Sequence, residues 1–439
     1  METIQNLIIG FGKGGKTLAK SLAAKGEKVV VIEKDAQMYG GTCINVGCIP
    51  SKALITQGLK QRSFTVAAEN KTALINKLRN KNYHMLADDP NIQVVDGTAK
   101  FVSDHQVRVQ TTAGKEVTYE AERIFINTGA TAVIPEIAGL KLSEKVGTSK
   151  ELMALTTKPE HLVILGAGYI GLEFASMFAS FGSKVTVIDP FATFLPREDR
   201  SFAEMIQQDL TEKGIEFVLG TNIQSIQETQ QVSVALADGR IITGDYLLVA
   251  TGRKPNTDQL GLENTAIKVN ERGAVVVDEK LQTTVANVWA LGDVTGGLQF
   301  TYISLDDYRI VENQLFGDQS RTTNNRPAVP YSVFIEPPIS HVGLHEYEAQ
   351  KQGLDYKKFV HLNANVPKAH ILENAKGMFQ VLVDRQTDFI LGATIYGAES
   401  HEVINLLTLA MNVKASYQVL KNQIYTHPTM SEALNDVLK

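Results

Sequence analysis

The chain has 439 residues, 44% of them apolar and 21% charged, with a net charge of −5; this length predicts more than one domain, each with its own core. The weak acidity argues against a nucleic-acid partner or an anionic membrane, and no apolar run approaches the roughly 20 residues that cross a bilayer. Met1 leads into the strand-like Asn6–Ile9 with no charged-then-apolar leader, and there are only two cysteines, so a cytoplasmic protein is expected, in which a disulfide would be catalytic rather than structural.

In chain order, the short strand Leu7-Ile8-Ile9 runs into Gly10-Phe11-Gly12-Lys13-Gly14-Gly15, a G-x-G-x-x-G turn. Helical spacing over Lys16–Ala24 follows, then a strand Lys28–Ile32 ending at Glu33. Gly10 permits the tight turn, Gly12 lets a phosphate approach the backbone, and Gly15 lets helix and strand pack closely. A diphosphate would sit on the helix N-terminus, and Glu33 would accept from a ribose hydroxyl. One such match is weak, because any glycine-rich turn can give it. The pattern returns as Leu162-Val163-Ile164-Leu165 running into Gly166-Ala167-Gly168-Tyr169-Ile170-Gly171, helical Leu172–Phe181, and the strand Lys184–Ile188 ending at Asp189. In both copies the acid falls 23 positions after the first glycine. Two complete units predict two bound dinucleotides. Asp189 favours an unphosphorylated ribose, and Pro190 to Leu195 holds no arginine for a 2′-phosphate. NADH is therefore expected over NADPH, although Arg197 and Arg200 lie close by.

Both cysteines fall in Gly40-Gly41-Thr42-Cys43-Ile44-Asn45-Val46-Gly47-Cys48-Ile49-Pro50-Ser51-Lys52. A regular helix across five positions would turn them about 140° apart, which strains a disulfide. Gly47 offers a bend, and Pro50 suits the first position of a helix with Ser51 to about Arg62 as its body. Cys48 would then lie at a helix N-terminus, where the dipole favours thiolate, a redox-active arrangement. A zinc half-site would need a second cysteine pair or nearby histidines, so no metal is expected. Glu69–Ala87 reads as a solvated surface helix. Alternation from Ile92 to Tyr119 predicts an antiparallel excursion, and Ile124–Gly129 an apolar strand meeting a glycine turn at a nucleotide edge, through Thr128 and Gly129. A second unit begins near Thr148 and closes at Leu247–Arg253, which contains Gly252. Val288–Leu291 then ends in Gly292-Asp293, an acid placed either to accept from a flavin ribityl hydroxyl or to cap the next helix. Polar, irregular Asp318–Pro330 marks a boundary. Beyond it come a hairpin of Met378–Val383 and Phe389–Tyr396, a striped helix Glu399–Val413, and Tyr425-Thr426-His427-Pro428-Thr429-Met430-Ser431-Glu432, with a histidine just before a helix start.

The segment Cys43–Lys52, the two dinucleotide units in this order, Gly292-Asp293 and the terminal His427-Pro428-Thr429…Glu432 together resemble the flavoprotein disulfide reductases, the family of glutathione reductase, dihydrolipoamide dehydrogenase and mercuric reductase. The likeness covers essentially the whole chain. It implies an α/β fold with two Rossmann-like domains: an FAD domain over 1–147, an inserted NAD domain over 148–255, the rest of the FAD domain over 256–326, and an α+β dimerisation domain over 327–439. It also implies FAD contacts from Gly41, Thr42, Lys52, Thr128, Gly129 and Asp293 beside Gly10, Gly12, Gly15 and Glu33. NAD contacts are implied from Gly166, Gly168, Tyr169, Ile170, Gly171, Glu173, Asp189 and Gly252. Cys48 would face the flavin as thiolate, and Cys43 would be the outer thiol that meets substrate. Glu173, which interrupts an apolar run, would pair with Lys52 beside the flavin; otherwise it is an acid in a first helical turn, favourable to the dipole. His427 would be the general acid–base, supplied by the other subunit of a homodimer, with Glu432 orienting its ring. Thr429-Met430-Ser431-Glu432 is also a T-x-x-E capping box, and both roles hold together only if the carboxylate has a lone pair to spare.

Tyr39, Leu78-Arg79-Asn80-Lys81-Asn82, the stretch Asp293–Arg309 and Pro330-Tyr331-Ser332-Val333-Phe334 are similar to the branch of that family concerned with reactive chlorine resistance. That likeness implies NADH-driven reduction of a small oxidant, hypothiocyanous acid or copper(II), through a Cys43–Cys48 disulfide. The alternatives are a generic disulfide reductase of the lipoamide or glutathione kind and a redox or copper sensor without turnover. The absence of an added cysteine pair near the C-terminus makes mercury a poor first choice.

Overall fold

Continuous apolar runs become parallel strands covered on both faces. Leu7–Ile9 lies between Val30–Ile32 on one side and Ile124–Ile126 on the other, all parallel; Val288–Ala290 extends the sheet beyond Ile124–Ile126. Ile92–Asp96 pairs in parallel with Val29–Glu33, and the same strand continues to Phe101 in an antiparallel excursion with Gln106–Thr111 and Glu116–Ile126. Alternating side chains divide between two cores. Ile8, Val31, Phe125 and Trp289 pack with Leu18 and Leu22 of the helix Lys13–Ala24 and with Ile310 and Val311 of the helix Thr301–Phe316. Leu7, Ile9, Val30, Ile124 and Ile126 face Val107, Val109 and Leu260.

The computed structural model describes all 439 residues and divides into two units. The sheet above belongs to the first, made of Met1–Pro135, Gly147–Thr157 and Thr251–Arg326; the second comprises Glu136–Val146, Lys158–Ala250 and Pro327–Lys439. In the second unit, His161–Leu165 pairs in parallel with Lys184–Asp189 and Tyr246–Val249, and Ile215–Leu219 follows Lys184–Asp189. An antiparallel ribbon of Ile223–Glu228, Val232–Leu236 and Ile241–Gly244 follows. The C-terminal part is a five-stranded antiparallel sheet in the spatial order Tyr331–Val333, Ile339–Gly343, Ile390–Tyr396, Met378–Asp384, Tyr356–Leu362, packed by the helix Ser400–Asn412. No helix is long and apolar enough to cross a membrane.

Gly10 and Gly166 sit at φ +103° and +107°, and a Cβ on Gly10 would lie 2.4 Å from the Asn127 carbonyl oxygen, so both turns require glycine.

Three local expectations change. The nucleotide unit expected to begin near Thr148 begins its first strand at His161, whereas Gly147–Thr157 stays with the first unit: Thr148 caps a short helix, Ser149–Ala154, whose Met153 carbonyl accepts the buried Lys71 ammonium. The cysteine helix runs from Cys48 to Leu59, two residues earlier than Pro50 as first residue would place it. Its first backbone bond is Ser51 N–H to Gly47 O, at 3.2 Å, so Pro50 occupies a position whose N–H has no helical acceptor in any case. The helix read as a solvated Glu69–Ala87 starts earlier, spanning Phe64–Ala87 and capped by Ser63; its added first turn buries Phe64, Ala67 and Ala68, while most of Glu69–Ala87 is exposed as expected.

Candidate active site

Both glycine turns are held by their own acids. Glu33 accepts from the N–H of Phe11 at 3.0 Å and of Asp35 at 3.2 Å. Asp189 accepts from Ala167 N–H at 2.6 Å and Phe191 N–H at 2.9 Å. The acid after each unit therefore closes its own glycine turn, a duty the ribose reading missed; a carboxylate's roughly four acceptor sites leave room for a hydroxyl as well. Burial pushes the Glu33 carboxyl above its ordinary value, against the pull of the Phe11 and Asp35 N–H groups.

Asn127, buried at the end of the strand Glu116–Ile126, joins this turn to the next. Its Oδ1 accepts from Gly15 N–H at 2.9 Å and its Nδ2 donates to Leu291 O at 2.7 Å. Ser304 Oγ accepts from Gly14 N–H at 3.0 Å, and Asp307 accepts from Gly292 N–H at 2.7 Å while pairing with Arg326. Asn127→Ala strands a buried donor and a buried acceptor, which predicts a loss of about 2–4 kcal/mol in stability, measurable by urea unfolding with tryptophan fluorescence. Asp293 opens the short turn Asp293–Thr295, and the helix Thr301–Phe316 is preceded by Phe300, so Asp293 does not cap that helix. Burial raises its carboxyl above the ordinary range against the opposing charge of Arg253. Thr128 Oγ1 donates to Asn256 O, Asn256 returns a bond to Thr128 O, and a Cβ on Gly129 would meet nothing within 4 Å.

The two cysteines occupy separate helices, Thr42–Asn45 and Cys48–Leu59, divided at Gly47. Cys43 is half-buried and Cys48 exposed. The hydrogen bond to Cys48, then burial, push the Cys43 thiol well up, while Thr301 and Lys16 pull it the other way. Cys48 is the first residue of its helix, where the dipole favours an anion. Thr301 Oγ1 lies 3.8 Å from Cys48 Sγ, and burial followed by the Cys48 charge raises the Tyr302 phenol. Neither Thr301 nor Tyr302 carries a local signal beyond its place in the stretch after Asp293. Lys52 follows Cys48 by one helical turn.

In the second unit, Gly168 precedes the helix Tyr169–Ser180 with no side chain capping it, and a Cβ there would meet nothing within 4 Å. Tyr169 and Tyr331 both donate to Glu198 Oε1, at 2.6 and 2.7 Å, with their rings stacked 5.7 Å apart. Ile170 is exposed beside Tyr169. Buried Glu173 accepts from Phe334 N–H at 2.8 Å. Arg200 donates to the carbonyls of Phe194, Leu195 and Glu198. Gly252, expected among the NAD contacts, belongs to the first unit, at φ +125°. At the C-terminal end, Glu432 does both things its position allows: Oε2 bonds His427 Nδ1 at 2.8 Å, and Oε1 accepts Thr429 N–H at 3.1 Å.

The first unit fits FAD in its own geometry. The helix Lys13–Ala24 has no side-chain cap at Gly12, and a Cβ on Gly41 would stand 2.8 Å from Gly12 Cα, so the glycine turn and the cysteine segment meet as bare backbone. Gly10, Gly12, Gly15, Gly41 and Thr42 would hold the diphosphate region, and Asp293 a hydroxyl.

Residues 4–307 match the pyridine nucleotide-disulphide oxidoreductases and residues 329–438 match the dimerisation domain of the same enzymes. The chain belongs to this family, which is FAD-dependent and uses a pyridine nucleotide, and it is a flavin disulfide reductase. Among its relatives is the probable pyridine nucleotide-disulfide oxidoreductase RclA of Escherichia coli strain K12, 47% identical over 437 residues, covering 100% of this chain and 99% of that protein. Mercuric reductase of Bacillus cereus is 32% identical, covering 98% of this chain and 70% of that protein. The solved Cu(II) complex of the HOCl-induced flavoprotein disulfide reductase RclA from Escherichia coli superposes with a TM-score of 0.97 at 47% identity, covering 100% of this chain and 99% of that one.

Proposed function

We propose that this enzyme uses NADH to reduce hypothiocyanous acid through a Cys43–Cys48 disulfide, in defence against reactive chlorine species, with copper(II) as a second acceptor. The observation that carries the reading is the thiol pair itself: Cys43 hydrogen-bonds Cys48, which opens its helix where the dipole favours an anion, and a dithiol so placed can meet a small electrophilic sulfur. Full-length similarity to RclA, whose solved structure is described as HOCl-induced and as a Cu(II) complex, supports a role in reactive chlorine defence and copper(II) as an acceptor.

Bound FAD supplies the two-electron relay between nicotinamide and disulfide. Cys43 attacks the sulfur of HOSCN; an S–S bond forms, the S–O bond breaks, and the Cys43 proton leaves with the oxygen as water. Cys48 thiolate then attacks Cys43 sulfur and expels thiocyanate, leaving the Cys43–Cys48 disulfide. Its reduction at the expense of NADH balances the cycle as HOSCN + NADH giving SCN⁻, water and NAD⁺. His427, with Glu432 on its Nδ1, moves the proton at Cys43 and comes from the other subunit of a homodimer. Lys52 would line the FAD site and Glu173 would stand among the NAD contacts, and the division into FAD, NAD and dimerisation domains follows the family order. Preference for NADH is supported by Asp189 and by Arg200, whose guanidinium is committed to three backbone carbonyls. The enzyme would act in the cytoplasm, where thiols are kept reduced.

The test is steady-state NADH consumption by purified protein against hypothiocyanous acid, copper(II), oxidised glutathione and lipoamide. Turnover with hypothiocyanous acid well above the others is expected. Strong turnover with glutathione or lipoamide and none with hypothiocyanous acid would replace this reading with the generic disulfide reductase.

A further inference from the structure

The stretch Leu78–Asn82 and the buried Lys16 have no part in the chemistry above, yet they meet at the cysteine segment. Lys16 stands on the helix after the first glycine turn and is 5% exposed. Its Nζ donates to Gly40 O at 3.3 Å and Asn82 Oδ1 at 2.5 Å, a carbonyl and an amide oxygen rather than a carboxylate. No carboxylate offsets the ammonium at these two contacts, and in a low-dielectric setting its charge acts over distance. Gly40 leads into Gly41, the residue before the helix that carries Cys43. Three positions before Asn82 on the same helix face, Arg79 Nε donates to Asn45 Oδ1 at 2.8 Å, and its guanidinium also reaches Gln37. Asn45 in turn donates to Tyr39 O at 3.0 Å and Gly41 O at 2.9 Å. The helix Phe64–Ala87 thus bonds Asn45 directly through Arg79 and reaches Gly40 through Asn82 and Lys16, so a buried cation is held on the carbonyl three residues before Cys43. Burial and Lys13 lower the Lys16 ammonium to about 8 while Cys43 raises it, and Lys16 lowers Cys43 in return.

We propose that Lys16 is a positioning residue for the dithiol: held by Gly40 and Asn82, its buried cation favours the reduced, negatively charged Cys43–Cys48 pair over the neutral disulfide. This rests on the reading of the two cysteines as the redox pair. Reduction breaks the S–S bond, takes two electrons that NADH supplies through FAD, and takes one proton, leaving Cys43 as thiol and Cys48 as thiolate. One negative charge appears on the dithiol side of the equilibrium, and a cation nearby favours that side.

The experiment equilibrates FAD-loaded enzyme with mixtures of reduced and oxidised dithiothreitol at fixed pH, quenches with an alkylating agent and counts modified cysteines by mass. Lys16→Met is expected to shift the equilibrium at least about tenfold toward disulfide, about 30 mV for a two-electron couple, with Lys16→Arg within about threefold of wild type. A Lys16→Met enzyme indistinguishable from wild type, or a Lys16→Arg enzyme shifted as far as Lys16→Met, would overturn the proposal. Should Lys16→Met fail to retain FAD, Asn82→Asp neutralises the same ammonium in place and must shift the equilibrium in the same direction; no shift overturns the proposal. A wild type whose cysteines never interconvert would remove the redox pair itself, a failure recognised before any variant is compared.

Discussion

Cys43→Ser lowers kcat/KM for hypothiocyanous acid by at least about 10³-fold, a loss of about 4 kcal/mol of transition-state stabilisation. Serine replaces the half-buried thiol with a group of similar shape, so the Gly41–Asn45 turn and its bonds to Asn45 and Arg79 persist. What is lost is a nucleophile able to attack sulfur and a partner for the Cys48 bond. Cys48→Ser separates the two halves of the cycle. Cys43 still attacks one oxidant molecule, but no second sulfur expels thiocyanate, so the variant stops after one turnover with a thiocyanate adduct on Cys43, detectable by intact mass. A Cys43→Ser enzyme that keeps more than about a tenth of wild-type oxidant reduction would route electrons past the dithiol altogether and end the proposed cycle.

The parts of the site that could be read from sequence are those whose chemistry is local. A glycine at positive φ, a helix start and a strand-end acid lie within 23 positions of one another in each unit, so a single window contains the whole device. Asn127 escapes because its partner Gly15 is 112 positions away; nothing near Asn127 marks it except a polar side chain closing an apolar strand. Ser304, at 290 positions from Gly14, escapes for the same reason. The start of the helix Phe64–Ala87 escapes for a different cause: its first turn buries Phe64, Ala67 and Ala68, which precede the polar stretch, while Arg79 and Asn82 reach Asn45 and Lys16 through polar contacts that leave no hydrophobic signature. Pro50 shows the limit of a positional rule. Any of the first helical positions tolerates a missing N–H, so proline bounds the helix start without fixing it.

His427→Gln lowers oxidant reduction by about 10²–10⁴-fold, the usual yield of a positioned acid–base group, and Glu432→Gln reveals how that group is held. The two oxygens of Glu432 accept from different donors, His427 Nδ1 and Thr429 N–H. Glutamine has only one acceptor atom. With its oxygen kept on the Thr429 N–H, its amide donates to Nδ1, which forces the ring proton onto Nε2 and removes the lone pair a base needs there. With its oxygen on Nδ1, the amide faces the Thr429 N–H, donor against donor. Either way activity falls, by about 10–100-fold, and the kcat/KM–pH profile loses the limb belonging to the imidazole, which a merely structural defect would leave in place. Mixing subunits then tells which chain supplies the base. Random pairing of Cys43→Ser and His427→Gln chains, each inactive alone, restores about a quarter of wild-type activity if His427 serves the neighbouring subunit's cysteine, because half the dimers are mixed and one of their two sites is intact. Recovery near zero would place the histidine's action within its own chain and remove the reason for an obligate dimer.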